Sequence, residues 1–362
     1  MFKNLPKGLC TLAFAVASYI LVSQQIKSIP LNQLTSLTLS AIFVLLIISL
    51  AFQLAHQVEY VADKLKEPYG TMILTISAVV IEVVILVMMM SHTSSTTLAR
   101  DAIYSAVMLD INGILGLCAI VGGIKYGEQE YNVNSGNTYV VMIMTAIGLS
   151  MVLPMFLPAE NWRIYSVFTI VTMSVFYIIF LKMQTGRHRG YFSYSYQHQK
   201  ELLGEGRSTV SPNLLYSISY ILLGILLVGF LAEEMSLHMD AGLTGTGVPP
   251  IIAAVVVALI AASPELLTAL KAASSNRMQT VVNISLGATL STVILTVPVI
   301  EAIALIQGKP LIVGLSPTQM VMTFLTLMVA SINLHDGETN AIEGMTHFVL
   351  FMAFIMLAIL GF

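Results

Sequence analysis

Residues 249–273 read PPIIAAVVVALIAASPELLTALKAA, an apolar run long enough to cross a bilayer with Ser263-Pro264-Glu265 set inside it. A carboxylate at that depth costs at least ~2.5 kcal/mol, so it must be protonated, paired or holding a cation. Proline removes one backbone donor and clashes with the carbonyl four residues back, that of Ile260, which loosens the carbonyls just upstream of Glu265. Carboxylate oxygens beside freed carbonyls suit a hard cation. A kink kept for packing, with an acid paired to a neighbouring helix, explains the same residues, so the segment alone leaves both readings open.

The rest of the chain decides its class. A length of 362 residues would ordinarily suggest two soluble domains, but 57% of the residues are hydrophobic and only 10% are charged, with a mean hydropathy of +0.87. That composition excludes a soluble globular protein and reads as an all-α polytopic membrane protein. Cys10 and Cys118 fall in separate apolar segments without metal spacing, so they read as structural thiols. The N-terminus places positive charge before an apolar run, yet no small-residue cleavage pattern closes it, and it reads as a retained first helix.

Polar and Gly/Pro-rich breaks divide the chain into eleven apolar segments, near 9–27, 33–56, 70–91, 101–124, 137–158, 162–184, 214–233, 249–273, 280–306, 311–333 and 341–362. With the N-terminus inside, the inner loops hold 12 of the 16 Lys and Arg residues, which supports N-inside and C-outside. The longest polar stretch, residues 186–213, reads as a solvated cytoplasmic linker. Its His188 and His198 are ten residues apart with no Cys or acidic cluster beside them, so metal binding is the weaker reading. The expected organisation is an extra helix at 1–30, a five-helix repeat at 31–185, the linker, and a second five-helix repeat at 214–362.

A counterpart of Glu265 exists in the first half. EPYGTMILTISAVVIEVVILVMMM puts Glu82 near the middle of the third segment, after Thr71, Thr75 and Ser77. Each glutamate lies on the second helix of its five, and the two halves begin on opposite sides, an inverted-repeat arrangement that places ion sites near the midplane. The helix after Glu265 offers Asn283, Ser285, Gly287, Thr289, Ser291 and Thr292; the helix after Glu82 offers Ser105, Asp110, Asn112 and Gly113. A close-packed seam explains the small residues equally well. Asp110 is either a further ligand or proton carrier, or a hydrogen-bonded packing acid.

Two glutamates converging at depth can bind Ca²⁺ if neutral oxygens complete its shell, and burial together with a second carboxylate favours protons when the cation is gone. Because the empty, doubly charged site is penalised, each crossing must carry cation or proton, which is antiport. Ser77, Ser263, Asn283, Thr289, Asp110 and Asn112 are the candidate supporting groups. A passive cation channel is the rival; an intramembrane hydrolase lacks an HExxH helix.

Four stretches carry a resemblance: LKEPYG with the IE of Glu82, GGIKYGEQEYN at 122–132, SPELLTALKAA at 263–273 and DGETNAIEG at 336–344. With them, nearly the whole chain resembles the cation/proton exchanger branch of the cation/Ca²⁺ exchanger superfamily, in particular its bacterial ChaA type. The resemblance implies Ca²⁺, and also Na⁺ or K⁺, exchanged for H⁺, with Glu82 and Glu265 as the exchanging carboxylates. It also implies a bacterial cytoplasmic membrane and no resident cofactor. The partners implied are the lipid bilayer and inorganic cations, not nucleic acid, and the oligomeric state stays open. In that superfamily each repeat shows Gly-Asn-x-x-Glu; here the Gly-Asn pairs are Ala78-Val79 and Ala261-Ala262, which removes two amide ligands and leaves Na⁺ and K⁺ beside Ca²⁺ as cargo. The acidic cytoplasmic helix of many relatives is missing from the linker. Glu301 and Glu233-Glu234 read as solvated rim acids at the outer ends of their helices, so Glu301→Gln should leave activity intact. Asp336, Asn340 and Glu343 read as caps of the last helix.

Overall fold

The computed structural model describes residues 32–65, 69–92, 95–186, 189–192 and 214–362. The expected first helix at 9–27, Cys10, His188, His198 and nearly all of the linker lie outside them. In chain order the helices are α1 (Gln33–Leu65), α2 (Tyr69–His92), α3 (Leu98–Met108), α4 (Gly116–Tyr126), α5 (Val133–Ile147), α6 (Trp162–Thr185), α7 (Leu214–Leu243), α8 (Ile251–Ala273), α9 (Met278–Ser291), α10 (Val297–Gln307), α11 (Pro317–Asn333) and α12 (Ala341–Leu360). α3 runs into α4 through a π-helical turn at Leu109–Leu115, and α9 into α10 through another at Thr292–Thr296. Among the described residues nine helical segments are long and apolar enough to cross a membrane. α11, expected as a span at 311–333, is 17 residues long because Ser316 caps it late: its hydroxyl accepts from Gln319 N, while the Gln319 side chain accepts from Ser316 N.

The chain forms two compact units, Met1–Ser95 with Pro212–Pro264, and Thr96–Ser211 with Glu265–Phe362. They cut across the sequential halves 31–185 and 214–362, since compactness groups helices by packing whereas a repeat is defined by order along the chain. The division falls inside α8, between Pro264 and Glu265. α8 nevertheless continues as one helix through Pro264, and the Ser263 hydroxyl bonds back to the Leu259 carbonyl.

In the first unit α1 packs chiefly on α7, with α2 against both. Small residues set the spacing: Leu37 fills the space that a side chain at Gly242 would need, approaching a notional Cβ at 2.8 Å. Val58, Val61 and Ile221 form an apolar cluster joined by Ile73 and Ile225. Polar groups here find partners across α1 and α7, where Tyr220 donates to Gln53 Oε1 at 2.8 Å and Ser217 to Gln57 Oε1 at 2.9 Å. Glu233 and Glu234 do not end their helix, as the rim reading had it. α7 runs on to Leu243, Glu233 lies 3.7 Å from His92, and Glu234 lies 3.8 Å from His238.

In the second unit α4 and α12 approach closely because Gly123 and Gly344 face backbone; a Cβ on Gly344 would sit 2.6 Å from Ile120 N. The two motifs GEQEYN and DGETN meet in a short antiparallel ribbon, β1 (Gln129–Glu130) with β2 (Glu338–Thr339), in register Gln129↔Thr339. An all-helical reading had no place for this ribbon, whose strands are too short to carry a period-2 signal. Gly337, at φ +87, turns the chain into it, and Tyr131 N donates to the Gly337 carbonyl at 2.8 Å. The Tyr131 hydroxyl donates toward the Asn333 and Glu338 carbonyls. Burial first, then the negative charge of Asp336, pushes its phenol above the usual range, so this donor persists at every working pH. Asn340 caps α12 as expected, accepting from Ile342 N and Glu343 N.

Candidate functional site

Glu82 stands on α2 in the first unit and is 7% exposed, inside the apolar span Thr75–His92. Ser77, on the same helix, is half-buried. Glu265 stands on α8 in the second unit and is also half-buried, two residues after Ser263.

The second unit brings several of the expected supporting residues together. The π-turn widens the helix by one residue and so aims Asp110 and Asn112 into the interior, where they are 2% and 0% exposed. Ser285 on α9 donates its hydroxyl to the Asp110 carbonyl, and Thr289 lies one turn further along with Oγ1 3.3 Å from Asp110 Oδ2. Asn112 ties the turn to two more helices. Its Nδ2 donates to Thr326 Oγ1 on α11 at 2.7 Å, and its Oδ1 faces His347 Nδ1 on α12 at 3.1 Å. Since the amide oxygen can only accept, Nδ1 donates in this contact, and Nε2 is buried without a hydrogen-bond partner among the described residues. Asn283 is half-buried at the edge of this group and accepts from Gln279 Nε2 at 2.9 Å.

Asp110, Asn112 and Thr289 are therefore joined by Ser285, Thr326 and His347. Sequence reasoning passed over Thr326 and His347. His347 had a signal, because an ionisable residue inside the last apolar span is functional by default. Thr326 had none, being one hydroxyl among several on α11. A second buried acid was also passed over: Asp101, 4% exposed, receives Arg100 Nη2 and Nε at 2.8 Å, the Thr97 hydroxyl at 2.8 Å and Gln319 Nε2 at 2.9 Å. Fully bonded, it anchors the start of α3 to α11.

Glu301 overturns its expectation. It is 2% exposed, packed in the protein rather than on a solvated rim, because α10 lays that side against α6. Among the described residues no three His, Cys, Asp or Glu side chains gather as a metal centre, so the chemistry on offer is that of single carboxylates among amides and hydroxyls. Carboxylate, amide and hydroxyl oxygens are the donor types that hard cations take.

The irregular turns also keep step with the glutamates: Leu109 follows Glu82 at the same interval at which Thr292 follows Glu265. Residues 35–186 and 216–360 match the family described as sodium/calcium exchanger protein. The chain is 30% identical to the sodium-potassium/proton antiporter ChaA of Escherichia coli (strain K12) over 86% of each chain. It is 24% identical to the Ca²⁺/H⁺ antiporter ChaA of Bacillus subtilis (strain 168), over 73% of this chain and 75% of that one. The fold is similar to the crystal structure of the Ca²⁺/H⁺ antiporter protein YfkE, with a TM-score of 0.75 at 16% identity over 98% of this chain and 100% of that one.

Proposed function

Since the chain belongs to the sodium/calcium exchanger protein family, and within it to the cation/proton exchanger branch, we propose that it is a secondary antiporter exchanging Ca²⁺, Na⁺ or K⁺ for H⁺. It is an integral membrane transporter and not an enzyme. Glu82 and Glu265 alternately take the cation and protons, with Ser77, Ser263, Asn283, Thr289, Asp110 and Asn112 as the neutral and acidic support. The observation that carries this reading is the buried Glu82 in an apolar span, matched by Glu265 at the same interval before a π-turn. A π-turn repeated at one register supports two related five-helix repeats, as does the family's match over residues 35–186 and 216–360.

The coupling follows from charge. A bare carboxylate pair is penalised in the low-dielectric barrier, whereas a protonated pair or a cation-bound pair is nearly neutral and can pass. The relatives' names divide between monovalent cations and Ca²⁺, and the amides missing at Val79 and Ala262 fit a site that does not demand Ca²⁺ alone. The distribution of Lys and Arg supports an N-terminus inside and a C-terminus outside, and the likeness to bacterial antiporters supports a bacterial cytoplasmic membrane.

The test is proton movement in sealed vesicles of the purified protein, with Ca²⁺, Na⁺ and K⁺ added separately. Cation-dependent proton flux in the wild type, lost in Glu82→Gln and Glu265→Gln, is the expected result. Cation flux without proton counter-movement would favour a passive channel.

A further inference from the structure

We propose that Glu301, with Ser166 beside it, forms a proton-binding site additional to the paired glutamates. Glu301 lies on α10, the continuation of the helix that carries the Thr292–Thr296 turn, and Ser166 on α6 is 8% exposed. The Ser166 hydroxyl is 3.5 Å from Glu301 Oε1, at the limit of a hydrogen bond, and Oε2 is buried with no partner among the described residues.

An ionised carboxylate so placed would hold a full charge in an apolar span with one weak donor, which the environment does not support. A proton on the carboxyl removes the charge. The groups that could otherwise neutralise it do not. At the start of α6 Arg163 stacks at 5.5 Å from the Trp162 ring, and the Tyr165 hydroxyl donates to the Leu149 carbonyl. The preceding turn Thr292–Thr296 brings hydroxyls but no titratable group, and α10 has no other acid or base.

The looseness of the contact argues for exchange of that proton rather than its storage. Asp101, a buried acid of this same unit, is by contrast held by four bonds. A carboxyl with one long contact keeps little that favours either protonation state beyond the local dielectric, so a small movement of α10 along α6, or entry of water, suffices to release the proton. The use of that proton in transport rests on the antiport reading; its presence on Glu301 does not.

The experiment is infrared spectroscopy of the full-length protein in liposomes, wild type minus Glu301→Gln, across pH, paired with cation-driven proton flux. The expected difference spectrum contains the carbonyl stretch of a protonated carboxyl at neutral pH. The expected flux of Glu301→Gln falls at least about tenfold, and Glu301→Asp, which keeps the acid, recovers part of it with a displaced pH profile. Absence of the protonated-carboxyl band overturns the site. A band with unchanged flux and pH profile in Glu301→Gln overturns the exchange and leaves a stored proton. If the wild type moves cations without protons, the antiport reading fails, and a band that titrates still upholds proton binding at Glu301.

Discussion

The two long helices of the second unit, Leu98–Tyr126 and Met278–Gln307, share one backbone irregularity and differ in what they place on it. The π-turn of the first aims an acid and an amide, Asp110 and Asn112, into a network that reaches α9, α11 and α12. The second carries only hydroxyls at its turn, Thr292 and Thr296, and its acid, Glu301, comes two turns later against α6. Backbone geometry is thus held in common while chemistry is divided: one helix presents a polar cluster hydrogen-bonded across three neighbouring helices, the other a nearly unbonded carboxyl. A bonded cluster orients ligands; an unbonded carboxyl suits a proton that must leave.

The comparison is broken most severely by neutralising the glutamate that precedes each turn. Glu265→Gln and Glu82→Gln are nearly isosteric, so the protein should fold, and cation-driven proton flux should fall by about a hundredfold or more if both turns serve one exchange cycle. Wild-type rates in either variant would remove that glutamate from the mechanism. Asp110→Asn tests whether the first helix contributes charge as well as geometry. Flux should drop about tenfold, whereas Thr292→Val in the second helix should cost only a few-fold.

Stability effects sharpen the contrast further. Asn112→Leu strands Thr326 and His347 inside the protein, and the loss should be about 2–4 kcal/mol, read as a lower thermal midpoint in detergent. Gly344→Ala forces α4 and α12 apart at the Ile120 backbone and should cost about 1–3 kcal/mol by the same assay. Ser263→Ala removes a single hydroxyl bond to the Leu259 carbonyl beside Pro264 and should change stability by no more than about 1 kcal/mol by the same assay.

Much of this was legible in the sequence, because a bilayer makes apolar length and buried charge conspicuous. The spans at Trp162–Thr185, Ile251–Ala273 and Met278–Gln307 lie within a few residues of the apolar runs that forecast them. Glu82, Asp110 and Asn112 stand out in the sequence because polar residues inside such runs are costly, and all three are buried. The same rule, applied to every ionisable residue in a span, would have raised His347 and Asp101. It was Glu301 that sequence reasoning misplaced: nearness to the end of an apolar run looked like nearness to water, and nothing in the local sequence shows that α6 covers that side.

By itself, then, the sequence determined that this chain spans a membrane with helices, where most of those helices lie, and which acids the membrane makes expensive. These follow from composition and spacing along one dimension. The tertiary structure alone decided that the helices after the two glutamates widen into π-turns, that Asn112 joins α11 and α12, that GEQEYN and DGETN pair as a ribbon, and that Glu301 is covered. Each of those depends on which residue distant in sequence fills the space opposite, because a hydrogen bond or a close backbone approach has two sides and a sequence motif shows only one.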